Sequence, residues 1–325
     1  MRRGAFEKFA WFLLIYLVGV ILFGAWVRIT HSGAGCGSHW PTCNGAVLPS
    51  EASTETLIEF THRLTSGLCG IFGLALVGWA WRLFGSATPT RYALLTLLFI
   101  VFEAAIGAGL VLGELVADDD SAARAAVISL HLANTLVLLA FAALTAWTAG
   151  GRPGPVPKRD PRLAGLFAGA LGVLILTSMS GAVTALGDTL FPIEPTLGPG
   201  LLEKVRADVS AANHFLVRLR AVHPLIAAAA SFYLLTLLAP RAFAVENDRT
   251  RIWARAALAA LGAELLIGLL NVALAAPGWL QLVHLLTADV LWVATLLTGA
   301  AAVAESPLNA PERLPKSAAE PAAAG

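Results

Sequence analysis

The sequence predicts an all-α integral membrane protein: eight transmembrane helices forming two similar four-helix bundles related by a pseudo-twofold axis along the membrane normal. Three observations lead there. Of 325 residues, 57% are hydrophobic and 13% charged, where a soluble domain carries about a quarter charged residues. The apolar residues gather into eight runs of about 20, each long enough to cross the hydrocarbon core as a helix. Glutamate and histidine motifs then recur in the same order in the two halves of the chain.

The first run, residues 9–28, follows Arg2, Arg3 and Lys8. It is long for the apolar part of a signal peptide and no A-x-A site follows Arg28, so it reads as a retained span. The stretch SGAGC, ending at Cys36, lies too far past the run to read as a lipoprotein cleavage site. Residues 30–58 contain no Lys or Arg and form an outer loop. The second run, 60–84, is entered through LIEFTHR, with Glu59, His62 and Arg63 at its mouth; Arg82 and Arg91 mark the basic turn after it. The third, 92–115, returns to a short loop, 117–123, again without Lys or Arg. The fourth, 124–148, leads into GGRPGPVPKRDPR, a linker rich in Pro, Gly and charge that divides residues 1–150 from 151–304.

The fifth run, 163–186, and the sixth, 214–238, are separated by GLLEKVRADVSAANHF. Its apolar residues fall at helical spacing, which suits a segment lying along the outer interface over the second half. Arg241, Arg249, Arg251 and Arg255 surround the start of the seventh run, 252–276, and the eighth is 279–303. Residues 305–325, with Pro307, Pro311, Pro315 and Pro321 among Ala and charged residues, predict a disordered cytoplasmic tail. Every basic cluster falls on one side, so the positive-inside bias puts both termini in the cytoplasm of a cell bearing this protein in its plasma membrane. A net charge of +1 implies no nucleic-acid partner.

The halves align by motif order. FEAAIGAGLVL around Glu103 in the third helix matches AELLIGLLNVAL around Glu264 in the seventh, each a glutamate followed by Ile-Gly. Downstream stand His131-Leu132 and His284-Leu285; upstream stand His62 and His223. An even number of crossings per half gives repeats of one orientation, hence the axis along the membrane normal.

His62, His131, His223 and His284 lie one on each even-numbered helix, within about 15 Å of its outer end at 1.5 Å per residue. One intramembrane histidine can be a packing residue bonded to a neighbouring carbonyl. Four at one depth, paired within two similar bundles, point to axial ligation of haem iron, with a flat macrocycle held between facing helices. His62 and His131 would hold one haem, and His223 and His284 a second. Arg63, Arg218 and Arg220 are placed to receive haem propionates or to snorkel to the interface. A di-haem cytochrome b acting only in electron transfer needs the same histidines. A transporter with parallel repeats would use Glu103, Glu264 and Arg28 instead.

EFTHR, the loop GAGCGSHWPTCNG entered by VRITHSG, and the later histidines resemble the haem A synthase family, bacterial type, over roughly residues 9–303. That resemblance implies a membrane oxidoreductase that oxidises a ring methyl of haem O to a formyl group, through an alcohol and a geminal diol, for terminal oxidase assembly. It implies haem O as substrate between His62 and His131, haem b between His223 and His284, and Glu59, on the helical face of His62, as the catalytic glutamate. The implied partners are the enzyme that makes haem O and an electron donor the sequence does not identify. Pro224, where a His-Arg pair would complete the repeat, is expected to kink the sixth helix near the cofactor.

Cys36 and Cys43 share the outer loop, where a disulfide is allowed. Closing so short a ring would contribute about 2–3 kcal/mol and hold a lid over the first site. A redox role for the pair, and a zinc site from His31, Cys36, His39 and Cys43, are the alternatives. Cys69 reads as an inert core residue. Glu103 and Glu264 support the haem sites or bond across helices, and Asp289 could orient His284 only if it shares its face. Asp118, Asp119 and Asp120 form a solvated loop and offer caps for the fourth helix.

Overall fold

The computed structural model describes residues 2–49, 52–192, 208–243 and 248–304. They build α1 (Arg2–Ile29), the 3-10 turn η1 (Ser32–Ala34), α2 (Thr54–Phe84), α3 (Thr88–Leu112), α4 (Ala122–Ala149), α5 (Pro161–Leu190), α6 (Phe215–Leu219), α7 (Val222–Phe243), α8 (Asp248–Ala273) and α9 (Gly278–Ala304), with no strand among the described residues. Since α6 and α7 together make one crossing, eight helical segments are long and apolar enough to span a membrane, as a multi-pass membrane protein requires. The shortest, α3, has 25 residues, about 38 Å at 1.5 Å per residue against a hydrocarbon core of about 30 Å. The expected tail and most of the expected interfacial segment lie outside the described residues.

Most helices run past their apolar cores, so the sequence-derived bounds are short at several ends. α1 begins at Arg2 and α2 at Thr54, which places Glu59, His62 and Arg63 inside α2 rather than at its mouth. Side-chain caps set several starts: Ser53 accepts from Thr56 N, and Asp160 accepts from Leu163 N at 3.0 Å, with Pro161 following as the first helical residue. The cap of α4 is Ser121, which accepts from Arg124 N at 3.1 Å, and not one of the three aspartates; Asp119 instead receives the Ser121 hydroxyl at 2.7 Å. The linker is pinned rather than loose. Arg152 pairs with Glu7 at 2.8 Å, Trp147 Nε1 donates to Pro153 O at 2.9 Å, and Arg159 donates to Ala304 O.

The break between α6 and α7 falls at Arg220 and Ala221, four and three residues before Pro224. Proline has no N–H to offer the carbonyl four residues back and its ring crowds that carbonyl, so the helix restarts with Pro224 in its first turn. The expected kink is therefore a full interruption.

α4 and α9 form the centre. In α4 every residue from Leu138 to Ala149 except Phe141 is buried, and in α9 every residue from Ala294 to Ala301. Their C-terminal ends meet in a cluster of Trp147, Leu297 and Ala301, while Phe6, Leu13, Leu17 and Leu76 from α1 and α2 and Leu234 from α7 close the surrounding core. The outward faces stay apolar and bare: Ile15, Ile71, Leu225 and Phe232 are each at least 60% exposed. In water such a surface would aggregate; against lipid it needs no cover.

Candidate functional site

Each of the four histidines faces a glycine on the preceding membrane-crossing segment. A Cβ on Gly24 of α1 would approach His62 Cε1 to 3.1 Å, and one on Gly181 of α5 would approach His223 Cε1 to 3.1 Å. Gly268 of α8 would come within 3.4 Å of His284 Cε1, and Gly107 of α3 within 4.0 Å of His131 Cε1. At Gly24 and Gly181 the missing Cβ lets the imidazole lie close to the neighbouring helix, whereas at Gly268 and Gly107 a Cβ would make ordinary contact. Phe23 meets the His62 ring edge-on at 5.5 Å.

What holds the other ring nitrogen differs from one histidine to the next. His131 Nδ1 lies 3.2 Å from Glu103 Oε1, and His284 Nδ1 lies 2.8 Å from Glu264 Oε2. Both contacts stand off the ideal hydrogen-bond line, which a small turn of the ring would restore. His223 Nδ1 is 2.9 Å from Ser180 Oγ. These partners leave Nε2 as the free nitrogen on three of the four rings, the arrangement that fixes tautomer and orientation in a metal-ligating histidine. His62 Nδ1 is buried with no hydrogen-bond partner among the described residues.

The second pair gives a direct test of fit. The ring centres of His223 and His284 are 6.5 Å apart with planes crossed at 80°. An iron with imidazole nitrogens about 2 Å away on each side, and ring centres roughly 1.2 Å further out, requires roughly 6.4 Å. The rings therefore stand at the separation a shared axial-ligand pair demands. His62 lies within electrostatic range of His131, Glu103 and Arg63 on the first side.

Glu59 is buried and fully engaged. Its Oε2 accepts from Cys36 N at 2.8 Å and its Oε1 accepts from Arg63 Nε at 3.1 Å and from Nη2. Arg63 Nη1 then donates to His39 O at 2.6 Å and Thr42 O at 2.7 Å, so four of its five donors are used by protein and one is left for a ligand. Cys36 and Cys43 are joined in a disulfide. Thr56 Oγ1 and Asn44 Nδ2 both donate to Gly35 O, and a Cβ on Gly35 would strike the Glu55 backbone at 2.5 Å. The loop is thus clamped onto the first turns of α2 through the same glutamate that stands three residues before His62.

Other sequence expectations resolve against this frame. The zinc reading fails: the two cysteines are bonded to each other, His31 Nδ1 lies 3.4 Å from Asp118, and no group of three or more His, Cys, Asp or Glu able to hold a metal occurs among the described residues. Arg220 pairs with Asp188 at 2.8 Å through Nε and donates to Gly187 O and Phe191 O through Nη2. Arg218 is exposed. Asp289 does not share the face of His284 and makes no bond to it; it is 1% exposed, neither oxygen has a hydrogen-bond partner, and the carboxylate beside His284 is that of Glu264. Cys69 is buried and unpaired by disulfide, as expected. Arg28, offered as part of an ion path, instead ties α1 to α5 and α9 by donating to Ala185 O, Thr189 Oγ1 and Gln281 Oε1.

Sequence reasoning missed the four glycines, Ser180, and the pair Asn134 and Thr135, which both donate to Glu103. The repeated Ile-Gly of Ile106-Gly107 and Ile267-Gly268 was the visible trace of two of them.

Comparison with known proteins agrees with this geometry. A protein of Thermus thermophilus named Protoheme IX farnesyltransferase is 50% identical over 288 residues, 88% of this chain and 46% of its own length. Proteins named Heme A synthase are 38% identical over 145 residues in Halalkalibacterium halodurans, 43% of this chain and 46% of theirs, and 42% identical over 106 residues in Lysinibacillus sphaericus, 31% and 34% respectively. The chain thus matches about half or less of the length of each of these relatives. The model of a family described as cytochrome oxidase assembly protein matches residues 7–296, nearly the whole chain, and the chain belongs to that family.

Proposed function

We propose that the chain is a haem A synthase, oxidising a ring methyl of haem O to the formyl group of haem A. The observation that carries this reading is the paired imidazoles: His223 and His284 stand 6.5 Å apart, with Nδ1 of each next to Ser180 or Glu264, in a chain related to proteins named Heme A synthase. Residues 1–150 form the substrate half and 151–304 the half that holds haem b, the two related by the pseudo-twofold axis. The membrane is the plasma membrane, with both termini cytoplasmic and the histidines toward the outer face.

His62 and His131 bind the substrate; His223 and His284 bind haem b, whose iron supplies electron transfer when bound. The chain's own residues do the rest. Glu103 and Glu264 orient His131 and His284, Ser180 orients His223, and the glycines admit the rings. Glu59 holds or moves a proton at Oε1 or Oε2, and Arg63 opposite Oε1 keeps that carboxylate placed. The disulfide loop, bonded to the same carboxylate through Cys36 N, excludes water from the end of α2. Haem O comes from a farnesyltransferase acting on protohaem IX, a supply supported by the Thermus relative that bears this name and matches the chain over 46% of its own length.

The test is to express the chain with a source of haem O and weigh the extracted haems. Conversion of a methyl to an aldehyde shifts the mass and is expected here; two haems retained with unaltered mass would leave an electron-transfer cytochrome and overturn the synthase reading.

A further inference from the structure

A cavity of about 560 Å³ opens between α3 and α4, with Ile175 of α5 also on its wall and Leu130, the neighbour of His131, at one end. Phe99, Phe102 and Ile106 line it from α3, and Leu130, Ala133 and Val137 from α4. Phe99 to Ile106 and Leu130 to Val137 are each seven steps, about 10 Å along the helices from the level of His131 toward the membrane centre. Asn134 also lines it, and its Nδ2 donates to Glu103 Oε2 at 2.5 Å. One wall of the groove is therefore a single residue removed from the carboxylate that stands on His131. Its other side is open, Phe102 being 47% and Leu130 55% exposed.

The second half has different residues at the matching places. Aligning Glu103 with Glu264 sets Phe99, Phe102 and Ala105, which also lines the groove, against Ala260, Ala263 and Leu266. Aligning His131 with His284 sets Ala133 against Leu286. Leu266 and Leu286 project outward, 59% and 40% exposed. Aromatic walls with alanines between them thus occur beside the first pair only, and leucines stand at those alanine positions beside the second. Both halves also carry two histidines on successive even-numbered crossings and a glutamate beside the α4 or α9 histidine, so the groove is one of the differences between them that faces a ligand's side chain.

We infer that this groove seats the isoprenoid chain of the substrate haem and so gives the first site its preference for haem O over haem without a prenyl group. The inference rests on the haem A synthase reading, in which the ligand of the first site differs from that of the second by this farnesyl-derived chain. Lipid tails are as apolar as the groove, so the preference comes from shape: a fixed aromatic slot and a gap of two methyl-sized side chains. Filling that gap with the residues of the second half should exclude the chain by overpacking and leave the ring's ligands untouched.

The experiment uses the purified full chain with its second site loaded, titrated separately with haem O and with protohaem IX while the Soret band of the first site is followed. Wild type should bind haem O at least tenfold more tightly. Ala105→Leu with Ala133→Leu, and Ala133→Leu alone as the milder change, should weaken haem O at least fivefold and leave protohaem IX within twofold, with the second haem retained as the control for folding. Unchanged haem O affinity in both variants would mean a lipid seat only, and equal weakening of both ligands would mean general damage to packing; either overturns the inference. A wild type that prefers haem O but never converts it would sink the synthase reading and leave the groove standing.

Discussion

Replacing Glu103 by alanine isolates what a carboxylate beside a ligand histidine contributes. Glu103 Oε1 is 3.2 Å from His131 Nδ1 and receives the Thr135 hydroxyl, and Oε2 receives Asn134 Nδ2 at 2.5 Å. Both neighbours keep a second acceptor after the change: Thr135 Oγ1 donates to His131 O at 2.9 Å and Asn134 Nδ2 to Phe99 O at 3.1 Å. His131 Nδ1 has no such alternative. The loss should therefore fall on the ring and not on the fold. Losing an outer partner of a metal-bound histidine costs about 10- to 100-fold in affinity, about 1.4–2.7 kcal/mol. Haem titration of the first site by Soret absorbance, with the second site loaded, should show that loss in Glu103→Ala and a smaller one in Glu103→Gln, whose amide oxygen still accepts. A Glu103→Ala affinity within twofold of wild type, or a loss confined to the second site, would refute the view that this carboxylate orients the imidazole.

Three further changes probe separate parts of the site. Glu59→Ala should retain both haems and yield no formyl product, while Glu59→Gln, which keeps an acceptor for Cys36 N, should retain the loop's protection from reductant but still fail to convert; normal haem A from either variant would remove Glu59 from catalysis. Gly181→Val should strip the second haem and spare the first, because even a Cβ there comes within 3.1 Å of His223; absorbance of the purified protein reads this directly. Arg28→Leu should lower the thermal midpoint by several degrees without a spectral change, since it removes charged hydrogen bonds between α1, α5 and α9 worth about 1.5–3 kcal/mol each before any relaxation; a changed Soret band would mean that Arg28 acts on the haem sites.

The fold was legible because a bilayer forces it. An apolar run of about 20 residues has almost no alternative to a helix when no water can satisfy its backbone, and each of the eight runs coincides with a membrane-crossing helix or helix pair, the third, sixth and seventh runs overshooting an end by one to three residues. Helix ends were less legible, because polar first turns such as Thr54–Leu57 carry no hydropathy signal and are set by a cap, here Ser53. The histidines could be read from their common depth, which is a matter of counting along each helix. Their partners could not. Glu103 and His131 are on different helices, and which rotamer faces which neighbour depends on how α3 rotates against α4. Asp289 was legible in the same way as the histidines: it shares a helix with His284, and the five-residue offset that argued against a shared face is matched by the absence of a bond between them.

The repeat itself conceals the differences that matter for chemistry. Matching letters put Glu103 with Glu264, yet Glu103 also receives Asn134 and Thr135, whereas the corresponding residues Thr287 and Ala288 give Glu264 nothing: Thr287 Oγ1 donates to Val283 O, and Glu264 Oε1 is buried without a hydrogen-bond partner. On the other pair the contrast runs the opposite way, with His223 held by Ser180 and His62 held by no side chain at Nδ1. Each half therefore has one strongly braced and one weakly braced element, and the least constrained imidazole, His62, stands beside the buried Glu59–Arg63 pair and its loop. A ring without an Nδ1 partner can turn at lower cost than one with it. A site that takes in and releases its haem needs one yielding ligand, and His62 is the imidazole least held at Nδ1, which supports the proposal that the first half is the substrate half.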